Sequence, residues 1–255
     1  MTKIISLAIQ KGGVGKTTSV SALSEIMVMR GYRVLSVDMD PQSSLTEIYA
    51  HTDESKHVGL LFEKRPEKIL NLISENVGSG FDLIPSHLDL AGIEMTMAQL
   101  RGNDKLLKTA LLQVAQNYDY IFIDSLPGSG KLMDNALTAA THVLIPAQPS
   151  IVDLRGLLMF TKTIREIKKH TNRKLINAGV FFTMFDERLI LHREAVEQLE
   201  DVSDELAFTG ITIPRAIDTA VAPGYGESIV TFDPNSKPTK AYKKLADFVE
   251  TLKTP

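Results

Sequence analysis

The sequence predicts an α/β fold: one domain on a mostly parallel, twisted sheet with helices on both faces. Three observations point there. Short apolar runs alternate with longer helical stretches, the pattern of right-handed βαβ units. A glycine-rich segment ending in Gly-Lys-Thr, residues 12–17, lies between the first apolar run and the first helical stretch. Two later apolar runs end in aspartate, where open α/β sheets carry their site residues.

In chain order, "KIISLAI" reads as the first strand and "KTTSVSALSEIMVMRG" as a helix stopped at Gly31. "RVLSVDM" is a buried-type strand that must end by Asp40. Pro41 pushes its predecessor out of helical geometry and is unwelcome in a central strand. "FDLIP", "YIFID", "HVLIPA" and "LINAGVFFTM" read as further strands, with helices over 101–117, 151–170 and 189–203. Residues 50–80 yield no clear element. No repeat, low-complexity tract or linker divides the chain, so residues 1–255 read as one domain. It starts directly at the first strand, and no separate N-terminal helix-turn-helix domain is expected.

Composition narrows the function classes. The 255 residues are 44% hydrophobic, enough for a sizeable core. With no cysteine, disulfides, thiolate metal sites and cysteine-held clusters are excluded. No apolar stretch approaches the roughly 20 residues of a membrane span, and the N-terminal run lacks signal-peptide features, so a cytoplasmic location is expected. The net charge of −3 does not advertise a nucleic-acid partner, yet it leaves room for a local basic face.

The segment "AIQKGGVGKTTSV" carries the most chemistry. Between a strand and a helix, Gly12, Gly13, Val14 and Gly15 can turn backbone N–H groups around phosphate oxygens, with Lys16, Thr17 and Thr18 opening the helix. This is a phosphate-binding loop, so a P-loop nucleotidase domain is expected. Lys16 would hold the β- and γ-phosphates and the Thr17 hydroxyl would ligate Mg²⁺. Asp124, ending "YIFID", is placed to hold Mg²⁺ through water. Asp38 and Asp40, two apart in "VLSVDMDPQ" and so expected on one strand face, are candidates to orient an attacking water. The loop holds a second lysine, Lys11, which reads either as a catalytic cation or as an ordinary loop lysine.

These residues together resemble the ParA/MinD family of deviant Walker ATPases, over nearly the whole chain. "KGGVGKTT" is similar to the family's deviant loop, with Lys11 at the signature lysine, "VLSVDMDPQSS" to its second motif and "YIFIDSLPG" to its magnesium motif. "HVLIPAQPSIVDLRGL", "VFFTMFDERL" and the C-terminal stretch from "IPRAIDTAVAPGYGES" resemble the ParA branch. The resemblance implies an ATPase with ATP and Mg²⁺ as cofactors. It implies an ATP sandwich homodimer in which Lys11 reaches the partner's nucleotide, as an arginine finger does. It further implies that this dimer binds nonspecific DNA on the nucleoid and that a ParB-like adaptor stimulates hydrolysis. Plasmid or chromosome partition is the expected role. Positioning of a protein cargo, MinD-like membrane cycling and metabolic phosphoryl transfer are the alternatives.

For the DNA face, Arg188 in "TMFDERL" matches a position at which relatives carry a DNA-contacting arginine. The run 155–174 is rich in cations, with Lys162, Arg165 and Lys169 among them, and the tail adds Lys237, Lys240, Lys243 and Lys244. Two departures stand out. Asp218 occupies a place where relatives often have arginine, and "IDSLPG" replaces the usual "DTPP". The iron protein of nitrogenase is set aside because it needs cysteines. A membrane is not the expected partner either: Ala241, Leu245, Phe248 and Leu252 lie at helical spacing, and packing on the domain's own sheet is expected of them.

Overall fold

The computed structural model describes every residue except 51, 64, 98–102, 202–205 and 255, and for residues 151–154 and 200–201 it describes the backbone alone. The elements run β1 (Lys3–Leu7), α1 (Lys16–Met29), β2 (Val34–Met39), α2 (Ser44–Tyr49), β3 (Ser74–Val77), β4 (Phe81–Ile84), α3 (Asp89–Met97), α4 (Leu106–Leu111) and β5 (Tyr120–Ser125). They continue with α5 (Lys131–Ala139), β6 (His142–Ala147), α6 (Ile151–His170), β7 (Ile176–Phe185), α7 (Ile190–Asp201), β8 (Phe208–Pro214), α8 (Asp218–Val221), α9 (Ile229–Phe232) and α10 (Lys237–Thr251).

The eight strands form one sheet in the order β3-β4-β2-β5-β1-β6-β7-β8, and only β3 is antiparallel to its neighbour. Side-chain alternation divides the core. Ile4, Leu35, Val37, Ile121 and Ile123 face a layer made by α3 to α7. Ile5, Leu7, Val34, Tyr120 and Phe122 face α1, α2, α9 and α10. Each fully buried Ile, Leu or Phe contributes about 1.5–3 kcal/mol, so a one-residue slip of β5 would exchange two complete apolar sets.

The six strands expected from apolar runs all form. Two more exist. β3 is a polar four-residue edge strand with a bulge, and β8 is interrupted by Gly210, so neither shows a continuous apolar run. The helix expected over 101–117 is broken. Residues 101–102 lie outside the described residues, and Asn103–Lys105 and Ala115–Asn117 are single 3₁₀ turns flanking α4. Tight bonds from Gln113 N–H to the Ala110 carbonyl (3.0 Å) and from Val114 N–H to that of Leu111 (3.1 Å) bury Val114 and turn the chain towards β5. The helix expected over 189–203 is α7, its last two expected residues lying outside the described set.

α1 ends as expected: Gly31 has φ 88°, and Tyr32 N–H donates to the Met27 carbonyl at 3.1 Å. α1 is buried by small polar residues as much as by apolar ones. Ser24 bonds Ser36 at 2.7 Å, Ser21 bonds Tyr49 at 2.7 Å and Ser19 bonds Tyr242 at 3.1 Å. On α10, Tyr242, Leu245, Ala246 and Val249 are buried in this layer, and Ala241, Phe248 and Leu252 pack against it. The amphipathic face of α10 is therefore core, the packing expected of it. Among the described residues, no helix is long and apolar enough to cross a membrane.

Candidate functional site

The site lies at the carboxyl ends of β1, β2 and β5, the three central strands. The loop after β1 is held by its carbonyls. Gly128 N–H donates to the Gln10 carbonyl at 2.8 Å, and Thr183 Oγ1 donates to that of Val14 at 2.8 Å. Gln148 Nε2 donates to the Gly13 carbonyl at 3.0 Å, and Lys16 Nζ to the Lys11 carbonyl at 3.1 Å. With the carbonyls so engaged, the loop N–H groups are left for an anion. Gly13 (φ 69°) and Gly15 (φ 81°) occupy the left-handed region that side chains disfavour. Gly15 caps α1 without a side-chain bond, so the helix end keeps its donors and its positive dipole end.

Lys16 is only 6% exposed. Burial lowers its pKa, and Asp124 and Asp40 partly restore it. Lys11, by contrast, is exposed. The two lysines thus occupy different environments five residues apart.

Asp38 and Asp124 are cross-strand neighbours, paired in register between β2 and β5 and both buried. Asp38 accepts bonds from Thr46 N–H (2.9 Å), Thr46 Oγ1 (2.7 Å) and Asp40 N–H (3.1 Å). Burial nevertheless pushes it up to about 6, with the Asp40 charge adding to the rise and the Thr46 and Asp40 donors opposing it. Asp124 is raised well above the usual carboxylate range, first by burial and then by Asp38. The Thr17 hydroxyl and Lys16 work against that rise, but neither Asp124 oxygen has a partner at hydrogen-bond geometry. A buried carboxylate without donors, beside a lysine and a threonine hydroxyl, is suited to a cation.

Asp38 lies within β2, whereas Asp40 falls one residue past its end. β2 ends at Met39, since Pro41 prevents its continuation, and Asp40 turns into the cleft. Asp40 Oδ1 accepts from Gln42 N–H at 2.9 Å.

The cleft has a volume of about 590 Å³, within the range of small-molecule sites. Gly12, Gly13, Gly15, Lys16, Thr17, Thr18 and Asp40 line it. Sequence reading did not single out Gln42, Glu47, Met184, Pro223 or Gly224, which line it too. Met184 and Pro223 offer apolar surface for a flat ring. Met184 (φ 51°) and Ser43 (φ 55°) are non-glycine residues in left-handed conformation beside the cleft, a strain that collects at functional sites.

The expected basic residues fall on two surfaces. Arg188 joins Arg215, Lys237, Lys240 and Lys244 along a groove of about 700 Å³ between β8 and α10. Lys162, Arg165 and Lys169 are exposed on α6, across the sheet from α10. Arg188 forks onto Asp186, its Nε at 2.9 Å from Oδ1 and a terminal nitrogen at 2.7 Å from Oδ2. That fork holds the Asp186 carboxyl far below its usual range.

Comparison with known proteins extends these findings. A family profile described as an AAA domain matches residues 2–177. The sporulation initiation inhibitor protein Soj of Bacillus subtilis is 36% identical over 249 residues, covering 96% of this chain and 97% of that protein. The chromosome-partitioning ATPase Soj of Treponema pallidum is 32% identical over 255 residues, covering 96% of each. Cobyrinic acid a,c-diamide synthase of Mycobacterium smegmatis, solved with an ATP analogue and magnesium, superposes with a TM-score of 0.85 at 31% identity, covering 97% of this chain and 93% of that one. A phosphate loop with two lysines, carboxylates at the tips of adjacent parallel strands and near full-length likeness to Soj agree: the chain belongs to the ParA/MinD family of P-loop ATPases.

Proposed function

We propose that the protein is a DNA-partition ATPase that forms an ATP-bound dimer on nonspecific DNA and is released by adaptor-stimulated hydrolysis. ATP and Mg²⁺ are its cofactors, as the bound ATP analogue and magnesium of the mycobacterial relative support. Gly12 to Gly15 cradle the phosphates, Lys16 binds them within the chain, and Thr17 and Asp124 hold the cation. Mg²⁺ supplies neutralisation of phosphate charge. Asp40, half-exposed in the cleft, orients the water, and Asp38 is the reserve candidate.

The observation that carries the dimer is the division between the two lysines. Lys16 is buried and bonded to the loop's own backbone, while Lys11 is exposed. A second cation so placed suits a nucleotide held by a facing copy. It would favour ATP over ADP across the interface, since the γ-phosphate charge is lost on hydrolysis. For DNA, the groove of Arg188, Arg215, Lys237, Lys240 and Lys244 is the better-supported surface, because these five cations line it against the two acids Asp186 and Glu187. Lys162, Arg165 and Lys169 form a second basic strip for the same duplex or another. The partition role rests on the Soj relatives, and a ParB-like partner follows from it.

The test uses Lys11→Ala. The variant binds ATP as wild type does, but neither dimerises by light scattering nor co-sediments with random-sequence DNA. A variant that still dimerises on ATP refutes action across the interface. Wild-type DNA binding falls steeply with added salt, and Arg188→Ala weakens it while leaving ATP affinity intact.

A further inference from the structure

Away from the nucleotide cleft, two histidines and an aspartate converge from separate parts of the chain. His57 precedes the 3₁₀ turn Val58–Phe62, His87 follows β4, and Asp89 opens α3. Val58 N–H donates to the Pro85 carbonyl at 2.8 Å and fixes the two segments to each other. One imidazole nitrogen from each histidine and one carboxylate oxygen lie within 4.8 Å of one another.

His57 supplies the independent sign of a ligand. It is 1% exposed, and its Nδ1 has no hydrogen-bond partner. An orphaned buried polar atom costs about 1–3 kcal/mol and asks for an explanation. The ring of His87 stands 5.1 Å away, tilted by 39°, in neither a stacked nor a T-shaped pair. Exposure rises outward, from buried His57 to the His87 side chain at 16% and that of Asp89 at 62%, so an ion has an entry path.

We propose that His57, His87 and Asp89 form a binding site for a divalent first-row transition ion of the Zn²⁺ type, separate from the nucleotide site. Two imidazoles and one carboxylate suit Zn²⁺, Co²⁺ or Ni²⁺, whereas Mg²⁺ and Ca²⁺ prefer all-oxygen shells. A tetrahedral ion at about 2.0–2.1 Å from its ligands needs them roughly 3.4 Å apart. His87 Nδ1 and an Asp89 carboxylate oxygen already stand 3.2 Å apart, so the remaining adjustment falls between that pair and His57, and water completes the shell. The loop bearing His87 includes Ser86, whose N–H donates to Thr46 Oγ1 at 2.8 Å. An ion here braces the end of β4 against the segment that precedes α3.

The experiment is Zn²⁺ titration by calorimetry on the untagged, metal-stripped, nucleotide-free full chain, with Co²⁺ as a spectroscopic substitute. One Zn²⁺ binds per chain and raises the melting temperature, and Co²⁺ gives the visible bands of a nitrogen–oxygen tetrahedral site. His87→Gln and Asp89→Asn, at positions open enough to leave folding intact, each weaken Zn²⁺ binding by about tenfold or more. Asp124→Asn leaves it unchanged. No Zn²⁺ uptake by the wild-type chain, or uptake that survives His87→Gln, overturns the proposal. So does uptake lost in Asp124→Asn, because the ion would then sit among the nucleotide-site carboxylates.

Discussion

Replacing Asp124 by asparagine should stabilise the nucleotide-free protein while abolishing its response to Mg–ATP. Both Asp124 oxygens are buried and lack hydrogen-bond partners, and the charge of Asp38 lies on the neighbouring strand in register. Folding therefore raises the Asp124 pKa well above its ordinary value. At neutral pH the unfolded carboxylate is ionised at no cost, whereas the folded one is disfavoured either as a buried charge or by having to take up a proton. An amide removes the charge and its repulsion with Asp38, and Lys16 keeps Asp40 as a counter-charge. The relief is of the order of an orphaned buried polar group, about 1–3 kcal/mol. At roughly 2–4 °C per kcal/mol for a chain of this size, the melting temperature rises by about 2–12 °C. With Mg–ATP at a hundred times its dissociation constant, wild type gains about 2.7 kcal/mol. The variant loses the magnesium-dependent part of that gain. Thermal melts with ATP, with and without Mg²⁺, read both effects. A variant that melts below wild type without nucleotide and still responds to Mg²⁺ refutes the account.

Three further outcomes follow from the geometry. Asp40→Ala keeps ATP affinity, since the loop is untouched, but loses turnover; wild-type steady-state hydrolysis in this variant moves the water-orienting role elsewhere. Between about pH 4 and pH 6 the stability of the nucleotide-free protein should fall as pH rises. The folded state holds a proton on Asp38 up to about pH 6 that the unfolded chain releases near 3.8, a difference of about 2 units or roughly 3 kcal/mol. Urea titrations across that window measure the slope, and one that rises instead contradicts the assignment. Gly78→Ala destabilises by about 2 kcal/mol or more, because a Cβ at φ 52° would meet Glu25 and come within 2.8 Å of Phe81. A melting temperature within a degree of wild type disproves that packing.

The legible parts of this protein are those whose chemistry is local. The phosphate loop occupies seven consecutive residues, Gly12 to Thr18, between a strand and a helix, so spacing alone reveals it. The six apolar strands announce themselves because a parallel strand is buried on both faces. β3, Ser-Glu-Asn-Val, lies at the sheet edge with one antiparallel neighbour, and no apolar pattern is demanded of it. Met184 and Pro223 reach the cleft only because the strand order carries β7 and the segment after β8 back beside the loop; no spacing rule connects positions so far apart. The separation of Asp38 from Asp40 was hidden for another reason. Period-two alternation holds only within a strand, and β2 ends between them.

That separation bears on how one carboxylate pair supports two tasks. Asp38 receives three donors, two of them from Thr46, and Thr46 Oγ1 in turn accepts from Ser86 N–H. A carboxylate so saturated and so cut off from solvent has little room left for another proton-bearing group. It is well suited to fix the end of β2 against α2 and the end of β4. Asp40 receives only the N–H of Gln42 on one oxygen, and it faces the cleft. Ser43, strained at φ 55°, donates its N–H to the Asp40 carbonyl at 2.8 Å, so the turn bearing Asp40 stores a preference for another conformation. On the proposed reading, Asp38 supplies the fixed frame, and Asp40 sits on the part of that frame able to move when the phosphate it faces changes.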